Sequence, residues 1–199
     1  MARIKTINNN ISRKDFIIDK AASLFKEKGF KAASMREIAD VVGVEAASLY
    51  NHIKSKNEIL NIICFEVANR YVQKLDEIEN MQVSSIDKIE LVLRFHINGM
   101  INHFDEVYVS DREWKHLDQP FLNNMQTQRR TYRKRLAAII DEGIKKKEIK
   151  KIDSPTAVLI MLHAISGIES WHRSTKKISG KDLQENMVAI LIDGLKKLK

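Results

Sequence analysis

Residues 43–56 read GVEAASLYNHIKSK, and the reading of this stretch decides the fold. Gly43 follows the segment Ile38-Ala39-Asp40-Val41-Val42, as a glycine does just past the end of a helix. Val44 can plug the turn that follows. From about Glu45 to His52 the residues fit a third short helix, with Leu49 facing inward. Lys54-Ser55 then form a loop ahead of a long fourth helix over about Lys56 to Glu79. Upstream, Ser34 is a cap for a helix over Met35–Val42, with Ile38, Ala39 and Val42 turned inward. Ser12, with Asp15 three residues on, starts a first helix. Ile17, Ile18, Ala21, Leu24 and Phe25 recur along it at helical spacing, and Gly29 ends it. Short helices joined by tight turns, with a glycine between the second and third, form a helix-turn-helix unit. A generic three-helix bundle would show the same spacing.

Composition narrows the choice. The chain has 199 residues, 44% of them hydrophobic, with only two prolines and seven glycines. That is room for one large domain or two small ones, with few breakers, and an all-α protein is the expectation. The formal net charge is +8. Residues 1–56 hold eleven Lys/Arg against six Asp/Glu, so more than half of the excess lies in little more than a quarter of the chain. A basic region of this kind suits nucleic acid, and a solvated surface would account for it equally well. The single cysteine, Cys64, excludes an internal disulfide and reads as a buried inert thiol between Ile63 and Phe65. Arg3 and Lys5 are not followed by an apolar segment, so no signal peptide is expected. The apolar runs are too short and interrupted to span a bilayer, which gives a soluble cytoplasmic protein as the expectation.

The remaining chain reads as further helices. One is expected over Ser85 to Phe104, with Ile86, Ile89, Leu93, Ile97 and Met100 inside, and a short one around Asp111–Leu117. Pro120 opens a long helix to about Lys146, and Asp153-Ser154-Pro155 caps another to about His172. Ser179 and Asp182 start the last, to about Leu198. The cationic run 145–151 is a solvated helix end. A DNA-binding domain is expected over 1–56, opening with a flexible basic arm over 1–11, and a second domain over 57–199.

In a helix-turn-helix unit the third helix enters the major groove by its N-terminal part. Ala46, Ala47 and Ser48 are small enough for the backbone to approach base edges, and an alanine methyl can meet a thymine methyl. Asn51 is a further candidate for base reading. Tyr50 and His52 carry hydrogen-bonding groups on rigid rings, suited to phosphate oxygens. Lys56 adds its charge to the N-terminal dipole of the fourth helix. Ser34, Met35, Arg36 and Glu45 complete the candidate DNA-contacting set. A core aromatic for Tyr50 and a solvated polar residue for His52 are the alternatives.

Gly43-Val44, Leu49-Tyr50, His52 and Ser55-Lys56, with Ala21-Ala22, Leu24-Phe25, Gly29-Phe30 and Ser34-Met35-Arg36-Glu37-Ile38-Ala39 upstream, resemble the signature of the tetracycline-repressor-like (TetR/AcrR) family of bacterial regulators. The match covers about residues 12–62. The resemblance implies an N-terminal helix-turn-helix domain bound to a double-stranded DNA operator. It also implies a C-terminal helical domain that binds a small-molecule effector and forms a homodimer. Glu45, Ala47 and Ile53 depart from the family pattern, which often has Ser or Thr, Gly and Phe there. Glu45 would cap the helix, read a cytosine amine or weaken binding.

Trp171-His172-Arg173 and the stretch from Ser179 to Leu195 resemble, more weakly, family members that sense acyl-coenzyme A thioesters or fatty acids. Such a ligand needs cations for its phosphates and an apolar tunnel for its chain. Phe95, His96, Met100, Phe104, Trp114, Met125, Arg129, Tyr132, Arg133, Met161 and Trp171 form the candidate effector pocket. Arg130 and Arg135 are further cations on the same helix, and solvated arginines over a plain core are the alternative. His96 and His103 lie seven residues apart and can both face the cavity, but too few ligands converge for a metal site. No cofactor is expected. The stripes Ala157, Ile160/Met161, Ala164, Ile168, Trp171 and Leu183, Met187, Ile190, Leu191, Leu195, with Gly167 and Gly194, suit a dimer interface or the monomer's own core. The competing functions are a helical small-molecule binding module without DNA and an enzyme on a helical scaffold. No nucleophile–base pair, phosphate loop or carboxylate pair supports the enzyme.

Overall fold

The structure, a computed structural model, describes residues 12–196. The expected basic arm over 1–11 lies outside the described residues. No strand occurs among the described residues, which hold only an isolated bridge between Ile149 and Lys196.

Local chemistry starts most of the helices. In α1 (Arg13–Lys28) the Ser12 hydroxyl accepts from the Asp15 amide at 3.1 Å. In α2 (Met35–Val42) Ser34 and Glu37 form a reciprocal capping box, satisfying two amides that a helix start leaves open. The Glu37 carboxyl also meets Lys28 at 2.6 Å, and that pair, with Ser34, holds its pKa down at about 2. Gly43 ends α2 at φ 77°, ψ 39°, with no atom within 4 Å of where a Cβ would sit. The left-handed backbone, not crowding, is therefore what favours glycine there. Helix α3 (Ala46–Leu49) is shorter than the sequence reading. The amides of Asn51 and His52 bond three residues back, to Ser48 and Leu49, so the chain tightens out of the α-helix before His52.

The rest of the bundle is α4 (Lys56–Glu79), α5 (Ser85–Asn102), α6 (Phe104–Arg112), α7 (Phe121–Lys145), α8 (Ser154–Ser166), α9 (Ile168–Arg173) and α10 (Gly180–Asp193). A 3-10 turn over Trp114–His116 joins α6 to α7. Four boundaries differ from expectation. The short helix expected around Asp111–Leu117 is the end of α6 plus the 3-10 turn. The last helix stops at Asp193, where Gly194 caps it, instead of reaching Leu198. Two further helices break early. The helix expected to reach Phe104 breaks at His103 (φ −126°, ψ 40°), and α6 restarts at once. The break lets Phe104 stack on His172, ring centroids 3.9 Å apart, and turns Asp105 toward α1. The helix expected to run to His172 is interrupted at Gly167.

Two apolar clusters result. The head core joins Ile17, Ala21, Phe25, Ile38, Leu49, Ile53 and Ile59 to Val109, Leu117 and Met125 from far along the chain. The second cluster lies among α4, α5, α7, α8 and α10, with Leu75, Ile78, Ile89, Ile97, Ile140 and Val158 buried. Gly143 is needed there, because a Cβ would fall 2.6 Å from Ile149 and 2.9 Å from Ser85. Cys64 is fully buried in the head core, and burial pushes its thiol up to about 12, so it is inert.

Candidate functional site

The first candidate site is the outer face of the helix-turn-helix head. Leu49 is fully buried and anchors α3, while Glu45, Ala46, Ala47, Ser48, Tyr50, Asn51 and His52 are exposed. Ser34 and Arg36 are exposed beside them on α2, and Met35 is half-buried. Tyr50 is 52% exposed and so is not the core aromatic of the alternative reading. Small side chains thus front α3 and hydrogen-bonding rings sit at its far end. Glu45 holds the N-cap position of α3, but its carboxylate makes no capping bond, which removes the first of its expected roles. Lys56 differs more. Its ammonium donates to the carbonyls of Phe30, Lys31 and Ala33 at 2.9, 3.2 and 2.9 Å, so it ties the α1–α2 loop to α4 rather than offering a free cation.

The second candidate site is a cavity of about 440 Å³ between α4, α5, α6, α7 and α8. Its walls are mainly apolar: Val67, Ala68, Val72, Met100, Val107, Leu162 and Ile165. Of the expected pocket residues, His96, Met100, Trp114, Arg129, Tyr132 and Arg133 line it, and Phe95, Phe104, Met125, Met161 and Trp171 do not. Met125 is buried in the head core, Met161 is buried in the second core, and Phe104 stacks on His172. Trp171 donates its indole N–H to the Ile178 carbonyl at 3.0 Å, and Phe95 packs edge-on to Tyr71. Helical spacing could not separate these faces from the cavity face.

The cavity's charges are divided. Arg129 pairs with Asp111 at 2.9 Å and lies over the Trp114 ring at 5.1 Å. Arg133 and Lys115 are exposed at the lining and enter no ion pair among the described residues. Arg135 is held by Asp76 and Glu79 away from the cavity. His96 is buried and its Nε2 lies 2.7 Å from the Tyr132 hydroxyl. Burial drives its pKa down to about 4, so the ring is neutral near neutral pH. His103 is exposed at the α5–α6 break and does not join it. No group of three or more metal-ligating side chains occurs among the described residues.

The sequence reading missed Tyr71, Ser110, Asp111, Arg112, Lys115 and Gln128, all of which line the cavity. Tyr71 had a signal: it interrupts the buried α4 stripe Val67, Leu75 and Ile78 with a hydroxyl.

Residues 17–63 match the family described as bacterial regulatory proteins, tetR family, and residues 82–195 match the tetracyclin repressor-like C-terminal domain. The HTH-type transcriptional repressor KstR2 of Mycolicibacterium smegmatis is 23% identical over 92% of this chain and 91% of its own length. The structure of the ketosteroid transcriptional regulator KstR2 of Mycobacterium tuberculosis superposes with a TM-score of 0.87 at 20% identity, over 98% of this chain and all of that one. AibR in complex with isovaleryl coenzyme A and operator DNA superposes with a TM-score of 0.80 at 20% identity, over 91% of this chain and 98% of that one.

Proposed function

This chain belongs to the TetR family of bacterial regulatory proteins, and from that premise we propose a repressor that leaves its operator when a hydrophobic anion enters the cavity. The observation that carries the reading is a helix-turn-helix head with its small-residue face open to solvent, joined through shared helices to a mainly apolar cavity. No helix among the described residues is long and apolar enough to cross a membrane. The proposed division is a DNA-binding domain over 1–56 and an effector and dimerisation domain over 57–199.

In this reading Ala46, Ala47, Ser48 and Asn51 meet base edges, and Arg36, Tyr50 and His52 meet phosphates. Glu45 is left to read a cytosine amine or to weaken binding. Two copies present their α3 helices about one DNA turn apart, roughly 34–36 Å. A cavity of about 440 Å³ holds roughly fifteen water-sized groups. An acyl chain of about ten carbons fits inside, while a coenzyme A nucleotide stays outside near Arg133 and Lys115.

The test is a mobility-shift titration against duplexes from upstream of the coding sequence, repeated over a salt series and with decanoyl-coenzyme A. A dimer should bind a pseudo-palindromic site with affinity that falls steeply with salt, and the thioester should release it. Weak binding without sequence preference would sink the repressor reading. Binding that neither decanoyl-coenzyme A nor decanoate disturbs would sink the effector class alone.

A further inference from the structure

One wall of the cavity carries three aromatic hydrogen-bonding groups, each from a different helix. Tyr71 of α4 and His96 of α5 have ring centroids 4.1 Å apart, and Tyr132 of α7 lies 5.6 Å from His96 and 6.3 Å from Tyr71. His96 and Tyr132 bond to each other at 2.7 Å, while the Tyr71 hydroxyl has no side-chain or backbone partner among the described residues. Burial keeps His96 neutral and raises both phenols above their ordinary values, so all three groups stay uncharged and protonated as donors.

A hydrogen count then selects the ligand group. A neutral imidazole has one N–H and each phenol one O–H, so the cluster holds three donor hydrogens. The His96–Tyr132 bond consumes one in either tautomer, and two remain. A carbonyl oxygen has two lone pairs and no hydrogen of its own, so it complements two donors. A carboxylate here would lack a free cation, because Arg129 is already held by Asp111. A plain methylene chain would leave the donors unpaired, which is unfavourable in an apolar site.

We propose that Tyr71, His96 and Tyr132 bind a neutral carbonyl oxygen on the buried part of the effector, whose anionic group stays at Arg133 and Lys115. The inference rests on the reading of this cavity as the effector site, and adds the chemical class that the site selects. Two sources share the chemistry: the carbonyl of a thioester, and a ketone along an apolar acid.

Matched pairs test it on the full-length protein by isothermal titration. Decanoyl-coenzyme A is compared with S-decyl-coenzyme A, a thioether without the carbonyl. Oxodecanoic acids with the ketone at successive positions are compared with decanoic acid. In at least one arm the carbonyl probe binds tenfold or more tightly than its partner, and the winning arm identifies the source. Tyr71→Phe, which keeps the ring and removes the hydroxyl, reduces that advantage to threefold or less without weakening the carbonyl-free probe. Tyr132→Phe removes one donor and frees the His96 N–H, so two donor hydrogens remain and the advantage is kept within about threefold. Equal affinities within both pairs overturn the proposal, as does an advantage that survives in Tyr71→Phe. If matched probes bind equally and still release DNA, the carbonyl assignment fails and the repressor reading stands. If no probe binds, the effector assignment of the cavity fails with it.

Discussion

The three hydrogens of the Lys56 ammonium meet three carbonyls, those of Phe30, Lys31 and Ala33, and the Phe30 ring centroid lies 4.6 Å from its nitrogen. An ammonium has no fourth hydrogen to offer a phosphate. The carbonyls directly precede Ser34, the cap of α2, so Lys56 sets where α2 begins relative to α4. Lys56→Met should therefore act on the fold. The lost bonds are worth about 1–3 kcal/mol, which lowers Tm by roughly 3–10 °C for a chain of this length. The slope of log affinity against log salt should stay as in the wild type. A phosphate contact would instead take about 0.9 from that slope, and a loss of that size with unchanged Tm would refute the structural role. The sequence located Lys56 at a helix start, where a cation near DNA reads as a clamp. It could not show that a loop more than twenty residues upstream brings its carbonyls onto the same nitrogen. Met125 failed for the same reason, since it lies at an apolar helical position and only packing decides which cavity or core that position meets.

At the scale of elements, α6 and the turn after it stand between cavity and head. Asp105 accepts from Ser23 at 2.6 Å and pairs with Lys26 at 2.6 Å, both on α1. Val109 and Leu117 are buried in the head core, while Val107, Ser110, Asp111 and Trp114 line the cavity. His116 stacks on Phe30 with centroids 6.0 Å apart and planes 16° from parallel. Phe30 is the ring that faces Lys56, so a chain of contacts runs from Trp114 to the start of α2. A ligand that displaces this segment acts on the head directly. Asp105→Ala and His116→Ala should shrink the ratio of DNA affinities without and with saturating decanoyl-coenzyme A by about 2- to 30-fold. Unchanged ratios in both variants, from parallel DNA titrations, would rule the segment out as the route. The helix starts at Ser12, Ser34, Asp153 and Ser179 were legible because a cap needs only its own next three residues. The break at His103 was not, because the Phe104 that follows it stacks on His172, far along the chain.

For the whole molecule, the question is what covers the apolar side chains left in solvent. The expected interface stripes divide: Ala157, Met161, Ile168 and Leu195 are buried in the chain's own core, with Leu183, Met187 and Leu191 packed against it. Ile160 on α8 and Ile190 on α10 stay 58% and 74% exposed, and Leu159 is exposed beside Ile160. The inward stripes therefore build the monomer, and in the proposed dimer the outward isoleucines are the residues that meet the second copy. Burying one isoleucine contributes roughly 1–2 kcal/mol, and a two-fold interface uses each residue twice. Two linked heads then bind two half-sites with an avidity that one head lacks. The paired substitution Ile160→Glu with Ile190→Glu places two carboxylates per copy where a mate would have to desolvate them. Sedimentation should show monomers with unchanged helical content. Affinity for a two-half-site duplex should fall by about 10²-fold or more, while affinity for a single half-site changes little. A variant that still sediments as a dimer and binds the full site normally would place the interface elsewhere. A monomer that keeps full-site affinity would remove the need for pairing.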